Sequence, residues 1–262
     1  MTDELARFRL DGRVAIVGGG SGGIGLRTCA ALASVGADVA IVGRSAARLD
    51  EACRAVADSG RKALAIAADM TAREQADRAV VQTVDALGRV DVVVNAIGGG
   101  AGTALYPAEE YPDREWQRIL DLNLTTAVHL SQSAAKAMIS AGRGGSILNI
   151  SSVRGQLAID AGYSAYVAAK GALDALTRQY ATEWARHGIR VNAISPTFVR
   201  TAQTASMLAD QGFYERLVGR IPLRRIADPD DLVGAILFLC SAAAAFVTGQ
   251  VLTLDGGLTA TQ

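Results

Sequence analysis

Tyr166 and Lys170 stand four residues apart in a run of small apolar residues (Ala165, Val167, Ala168, Ala169, Ala172, Leu173, Ala175 and Leu176) that reads as a well-buried helix. At that spacing the phenol and the ammonium share one helix face. An ordinary tyrosine, with a pKa of roughly 10, is a poor base near neutrality, but a neighbouring cation favours the phenolate and moves the pKa toward working pH. Such a pair is suited to passing a proton to or from an alcohol oxygen. With three lysines and six tyrosines in 262 residues, chance would supply this spacing in about one such chain in fifteen. Tyr163 is an internal control: four residues further on stands Val167, and no cation is placed to activate it.

Those side chains have to be carried to a ligand, and the rest of the chain reads as the scaffold that does so. Val14-Ala15-Ile16-Val17 is a short buried strand that runs into Gly18-Gly19-Gly20-Ser21-Gly22-Gly23-Ile24-Gly25 and then into a helical stretch ending near Val35. Strand, glycine turn and helix together let backbone N–H groups approach a pyrophosphate at a helix N-terminus. A merely flexible turn is the plainer reading of glycines taken alone. The alternation continues with strand 39–42, helix 48–59, strand 63–67, helix 72–87, strand 90–94, helix 115–140, strand 146–150, helix 165–185 and strand 190–194. Residues 195–226 read as irregular, and a helix from Asp228-Pro229 and a strand at 251–254 follow. This pattern implies one α/β domain over residues 1–262, a doubly wound, seven-stranded parallel sheet with helices on both faces. In such a sheet ligands bind beyond the carboxyl ends of the strands.

Composition narrows the function classes. Half of the residues are hydrophobic and 28 are glycine, which suits a folded α/β chain and excludes a disordered one. The 26 basic and 26 acidic residues cancel and the arginines are scattered, so no nucleic-acid partner is expected. The most apolar stretch, 232–247, falls short of the ~20 residues that span a bilayer, so no membrane partner is expected. Asp3 and Glu4 and the lack of an apolar core argue against a secretory signal at the start, and a cytoplasmic location is the expectation. Cys29, Cys53 and Cys240 are odd in number and widely spaced; they read as reduced structural thiols rather than a metal site.

With these residues in place, residues 10–257 resemble the short-chain dehydrogenase/reductase family. Its T-G-x-x-x-G-x-G signature falls on residues 18–25 and its Y-x-x-x-K on Tyr166 and Lys170. The resemblance implies a Rossmann-type domain with Gly19, Ser21, Gly22, Gly23, Ile24 and Gly25 on the cofactor. It adds Asp69 and Met70 at the adenine edge, although Asp69 also reads as a helix N-cap before Thr71. Asn95-Ala96-Ile97-Gly98 is similar to N-N-A-G after strand four, which puts Asn95, Ala96 and Gly98 at the cofactor. Pro196 to Thr201 is similar to P-G-x-V-x-T, with Pro196, Val199 and Thr201 near the nicotinamide. The catalytic set implied is Asn123, Ser152, Tyr166 and Lys170. Tyr166 would exchange the proton, Ser152 would bond the substrate oxygen, Lys170 would hold the ribose and lower the tyrosine pKa, and Asn123 would order a relay water. Gly18, Ala96 and Thr197 depart from the family pattern, and two bracing hydrogen bonds must be absent or replaced.

The resemblance also implies a homotetramer paired through helices 115–140 and 165–185, a small-molecule substrate, and a substrate lid at about residues 202–221 carrying Met207, Leu208, Phe213 and Tyr214. The cofactor is read from the end of strand two. Gly43 stands where members that use NAD place an acid, and Arg44-Ser45 follows; a guanidinium there can bind a 2′-phosphate. NADP(H) is therefore expected in preference to NAD(H), with a secondary alcohol or ketone, such as a sugar acid or polyol, as substrate. A 3-oxoacyl thioester reductase and a non-catalytic nucleotide sensor are the alternatives. Arg154, two residues after Ser152, either pairs with a substrate carboxylate or is a solvated surface residue. Residues 151–155 and 181–185 look like the family's gluconate 5-dehydrogenase branch.

Overall fold

The central strands of this chain are short and buried on both faces, which in a parallel sheet requires helices on either side. A computed structural model describes residues 4–261. The strands are β1 (Val14–Gly18), β2 (Asp38–Gly43), β3 (Ala63–Ala67), β4 (Val92–Asn95), β5 (Gly145–Ile150), β6 (Ile189–Pro196) and β7 (Val251–Leu254). They form one parallel sheet in the order β3-β2-β1-β4-β5-β6-β7. The helices are α1 (Gly23–Ser34), α2 (Ala46–Ala57), α3 (Arg73–Leu87), α4 (Asp113–Leu120), α5 (Thr126–Ala141), α6 (Ser164–Trp184), α7 (Ala205–Leu208), α8 (Gln211–Arg220) and α9 (Asp230–Cys240).

Side chains alternate across the sheet, so each strand feeds two cores. Ala15 and Val17 of β1, with Val39 and Ile41 of β2, pack with Leu32, Leu49 and Leu239 on one face. Ile16, Ala40 and Val42 pack with Leu130, Met138 and Ile147 on the other. The strand order reverses at β1, which lies between β2 and β4, and a crevice opens there at the carboxyl edge. The register brings Gly18, Asn95 and Asn149 into one row along that edge.

Two expectations need correction. The helix expected over 115–140 is interrupted by a π turn at Asp121–Thr125, which separates α4 from α5 and contains Asn123. Such insertions distort the backbone ladder locally and recur at functional sites. The segment expected to be irregular holds α7 and α8. The Asp210 carboxylate accepts from Phe213 N at 2.9 Å and caps α8, a start that Gly212 obscures in the sequence pattern.

Candidate active site

The turn after β1 can be built only from glycine at two points. Gly19 has φ +77°, and a Cβ there would sit 2.8 Å from the Ala96 backbone. A Cβ on Gly25 would overlap the Gly19 carbonyl. The result is a helix that starts hard against the turn. Gly22 is its N-cap and supplies no side-chain cap, so the first N–H groups of α1 are left for an anion. Gly22, Gly23, Ile24 and Gly25 line one end of a cavity of about 680 Å³.

Its other end is made by β5, α6 and the β6 loop. Ser152, Tyr166, Lys170, Pro196, Val199 and Thr201 all line it, with Ala96 and Gly98 between the two ends. Lys170 is 3 % exposed and donates from Nζ to the Ile150 carbonyl at 2.9 Å. Burial lowers its pKa to about 8 against the opposing charge of Asp174, which in turn accepts a hydrogen bond from Ser151 Oγ. The Lys170 ammonium lies 5.7 Å from the centre of the Tyr166 ring. Burial pushes the Tyr166 phenol up, and a hydrogen bond with Ser152 opposes the shift. This corrects the expectation of a lowered tyrosine pKa: in the protein alone, desolvation outweighs the Ser152 hydrogen bond and the charge of Arg154. The phenol is therefore protonated near neutrality, the state that donates to a carbonyl oxygen. Ser152 Oγ accepts from Arg154 N at 3.2 Å, which leaves its hydroxyl proton to donate.

Asn123 is 1 % exposed, and its side chain braces the neighbouring loop. Its Oδ1 accepts from Gly99 N at 2.8 Å, and Nδ2 donates to the carbonyls of Gly99 and Ile119, each at 3.0 Å. Both amide protons are thus spent clamping the 98–100 loop to the π turn. Asn95 is a brace as well. Buried in β4, it donates to Ser131 Oγ and Asn149 Oδ1, and Asn149 passes the chain on to Thr177. This network ties β4 and β5 to α5 and α6 where Gly18 and Ala96 carry no bracing side chains.

Met70 belongs to the core, 1 % exposed, with its carbonyl 3.0 Å from His129 Nδ1. Asp69 is not the N-cap of the next helix, a place taken by Ala72; its carboxylate closes a local turn by accepting from Thr71 N and Oγ1. Arg44 lowers the Asp69 pKa as a lesser contributor, so the two charges face each other at the open edge of the crevice. Arg44 and Ser45 are exposed, and with Gly19 and Ser21 they lie outside the enclosed part of the cavity. Arg154 is not a solvated residue: it is 7 % exposed and lines the cavity, with Nη1 donating to the Ala158 carbonyl at 2.9 Å.

Sequence reasoning missed several lining residues. Arg48 reaches the glycine-turn end from α2, four residues after Arg44, a spacing that could have flagged it. Gln203 Nε2 donates to the Gly98 carbonyl at 3.1 Å and ties the 202–204 loop across the cavity. Arg216 and Arg220 enter from α8, and only the fold brings them there. A dinucleotide fits what is present: the turn and uncapped helix start suit a diphosphate, and the buried Thr197 hydroxyl on the cavity wall has no partner among the described residues.

Comparison with known proteins agrees with this geometry. A family model described as Enoyl-(Acyl carrier protein) reductase matches residues 19–259. The chain is 37% identical over 252 residues to gluconate 5-dehydrogenase of Gluconobacter oxydans, covering 96% of both chains. It is 36% identical to galactitol 2-dehydrogenase (L-tagatose-forming) of Cereibacter sphaeroides, covering 98% of this chain and 99% of that one. Among solved structures, a gluconate 5-dehydrogenase from Burkholderia cenocepacia in complex with NADP and tartrate superposes with a TM-score of 0.91 at 34% identity, over 98% of this chain and 99% of that one. Likeness at this level, sustained from the glycine turn to the last strand, means that the chain belongs to the short-chain dehydrogenase/reductase family of oxidoreductases.

Proposed function

We propose that the protein is an NADP(H)-preferring enzyme that interconverts a secondary alcohol and its ketone on a small polyhydroxy substrate, a sugar acid or a polyol. The observation that carries this reading is the convergence of Ser152, Tyr166 and Lys170 on the cavity whose far end is the glycine turn. When bound, the nicotinamide supplies the acceptor or donor for hydride transfer. The chain's own residues handle the proton. Tyr166, protonated near neutrality, gives its proton to the oxygen of a ketone, and in the reverse direction takes it from an alcohol. Ser152 donates to the same oxygen and holds it against Tyr166. Lys170, anchored on the Ile150 carbonyl, places a positive charge beside the phenol that favours its ionised form once the proton has left. Asn123 keeps the 98–100 loop in place over this group.

The cofactor preference rests on β2. Gly43 offers no carboxylate to a free 2′-hydroxyl, and Arg44 stands exposed beside Asp69 where a 2′-phosphate can be met. The related gluconate 5-dehydrogenase structure that holds NADP supports the choice. The relatives divide on substrate, one acting on a sugar acid and one on a polyol. A 3-oxoacyl thioester reductase is the second reading; the family model's description shares with it the acyl-carrier-protein substrate but not the reacting bond. We further propose residues 202–221 as the substrate lid and a homotetramer paired through α4, α5 and α6, which light scattering at micromolar concentration tests.

Assaying sugar acids, polyols, ketones and acetoacetyl thioesters with both cofactors tests the reaction. Turnover of a secondary alcohol or ketone is expected, and Tyr166→Phe should lower it about 10²- to 10⁴-fold with cofactor binding little changed. A variant that keeps more than about a tenth of wild-type turnover rejects the role of Tyr166.

A further inference from the structure

The charged side chains that line the active-site cavity are Arg48, Arg154, Lys170, Arg216 and Arg220, and no aspartate or glutamate joins them among the described residues. Arg48 belongs with the glycine turn, and Lys170 is held by Ile150. Three arginines remain at the substrate end.

We propose that Arg154, Arg216 and Arg220 form an anion subsite that holds a carboxylate of the substrate beside its reacting carbon, so that the enzyme selects hydroxy- and oxo-acids over neutral polyols. The proposal rests on the oxidoreductase reading of the same cavity and deepens it. Burying a guanidinium without an acid is costly. Arg154 is 7 % exposed, and its only hydrogen bond from the side chain among the described residues goes to a backbone carbonyl. Arg220 is close enough for its charge to act unfavourably on Arg154. Two like charges thus face one another with no acid between them. Elsewhere the chain's arginines find acids readily: Arg13 and Arg89 both reach Asp91, and Arg225 reaches Asp231. An anion brought by the substrate would supply the missing partner.

Packing fixes the arrangement. Arg216 and Arg220 are one turn apart on α8, on the same face. Leu217 between them is buried with Ile221 against Val153, the residue before Arg154. The helix that carries two of the arginines is therefore seated on the loop that carries the third.

The position of Arg154 also limits the size of the acid. Its backbone N donates to Ser152 Oγ and its charge is felt by Tyr166, so the carboxylate would lie only a few bonds from the carbon that reacts. A compact polyhydroxy acid meets that condition. A 3-oxoacyl thioester has no anion so close to its keto group.

The test combines turnover with binding. In the NADP(+)-loaded protein, malonate is titrated calorimetrically as a non-reacting dicarboxylate, with inorganic phosphate in parallel. Wild type is expected to bind malonate. Arg216→Gln/Arg220→Gln, which changes exposed positions, and Arg154→Gln should each weaken it about 10- to 100-fold, the range for a hydrogen bond between charged groups. In turnover, D-gluconate and related aldonates should exceed D-glucitol and other polyols in kcat/KM, and the double variant should shrink that ratio by a similar factor through KM.

Lack of malonate binding, malonate binding unchanged in the double variant, or tighter binding of phosphate than malonate overturns the carboxylate subsite. A preference for neutral polyols, or for an uncharged acetoacetyl pantetheine thioester, does the same while leaving the oxidoreductase reading in place. Arginine-dependent malonate binding with no turnover of any substrate supports the subsite and removes the oxidoreductase reading.

Discussion

Gly43 controls more than the absence of a negative charge. A Cβ built there would lie 2.5 Å from Ser21 Oγ, 3.3 Å from Ser21 Cβ and 3.4 Å from Leu49 Cδ2. Ordinary carbon–oxygen contact begins nearly an ångström further out, so Gly43→Ala requires Ser21, a residue of the glycine turn, to turn its hydroxyl away or to shift. The backbone at Gly43 has no positive φ, so the cost is steric alone. Overpacking of this kind costs about 1–3 kcal/mol. At about 2–4 °C per kcal/mol for a chain of this size, Tm should fall by about 2–12 °C. NADP(H) affinity should weaken too if the turn meets the diphosphate as proposed, because Ser21 belongs to that turn. Ser21→Gly removes both contacting atoms, so Gly43→Ala should be close to neutral in a Ser21→Gly background. Calorimetry on the four proteins of this cycle, with cofactor titrations on each, measures the coupling, expected above about 0.5 kcal/mol. If Gly43→Ala melts within about 1 °C of wild type, or costs as much without Ser21 as with it, the steric argument fails. The same reasoning says that Gly43→Asp will not convert the enzyme to NAD(H) use unless Ser21 is also reduced.

Arg44→Ala should lose about 1.5–3 kcal/mol of NADP(H) recognition in kcat/KM and little with NAD(H); equal wild-type efficiency with the two cofactors would overturn the preference. The pKa of Lys170, about 8 in the fold against 10.5 in the open chain, means that the native state holds fewer protons than the unfolded one between those values. The resulting penalty is full below pH 8 and fades as the pH rises toward 10.5. Wild-type unfolding free energy should therefore gain about 2–3 kcal/mol between pH 7 and pH 10 relative to Lys170→Met, and parallel profiles for the two proteins would refute the shift. Asn95→Ala strips two hydrogen bonds from the buried Asn95–Ser131–Asn149 network and should cost about 2–4 kcal/mol by denaturant unfolding; a loss below about 0.5 kcal/mol would show that the network is not a brace.

Much of this molecule was legible in the sequence. Strands seven times over alternate with helices, and each is announced by Val, Ile, Leu or Ala, because a strand covered by helices on both sides holds mostly apolar side chains. The glycine turn and the Tyr166–Lys170 pair were equally plain, since both depend on spacing along one element. What the sequence could not show is what depends on the far sides of elements meeting. Asn95 read as a cofactor contact and Asn123 as the holder of a relay water, and nothing in the local pattern showed that their amides also bond Ser131, Asn149 and Gly99, 24 to 54 residues away. Tyr166 read as a lowered phenol, yet its pKa moves up because the fold removes water from around it. Arg154 read as a choice between solvent and substrate, and Arg216 and Arg220 carried no signal at all. Their meeting in one cavity free of acids is set by how Leu217 and Ile221 seat α8 against Val153. Local pattern determines which elements form and which faces they bury. Which charges then share a low-dielectric space is decided by packing between segments distant in the chain, and electrostatics follows that distance in space, not separation in sequence.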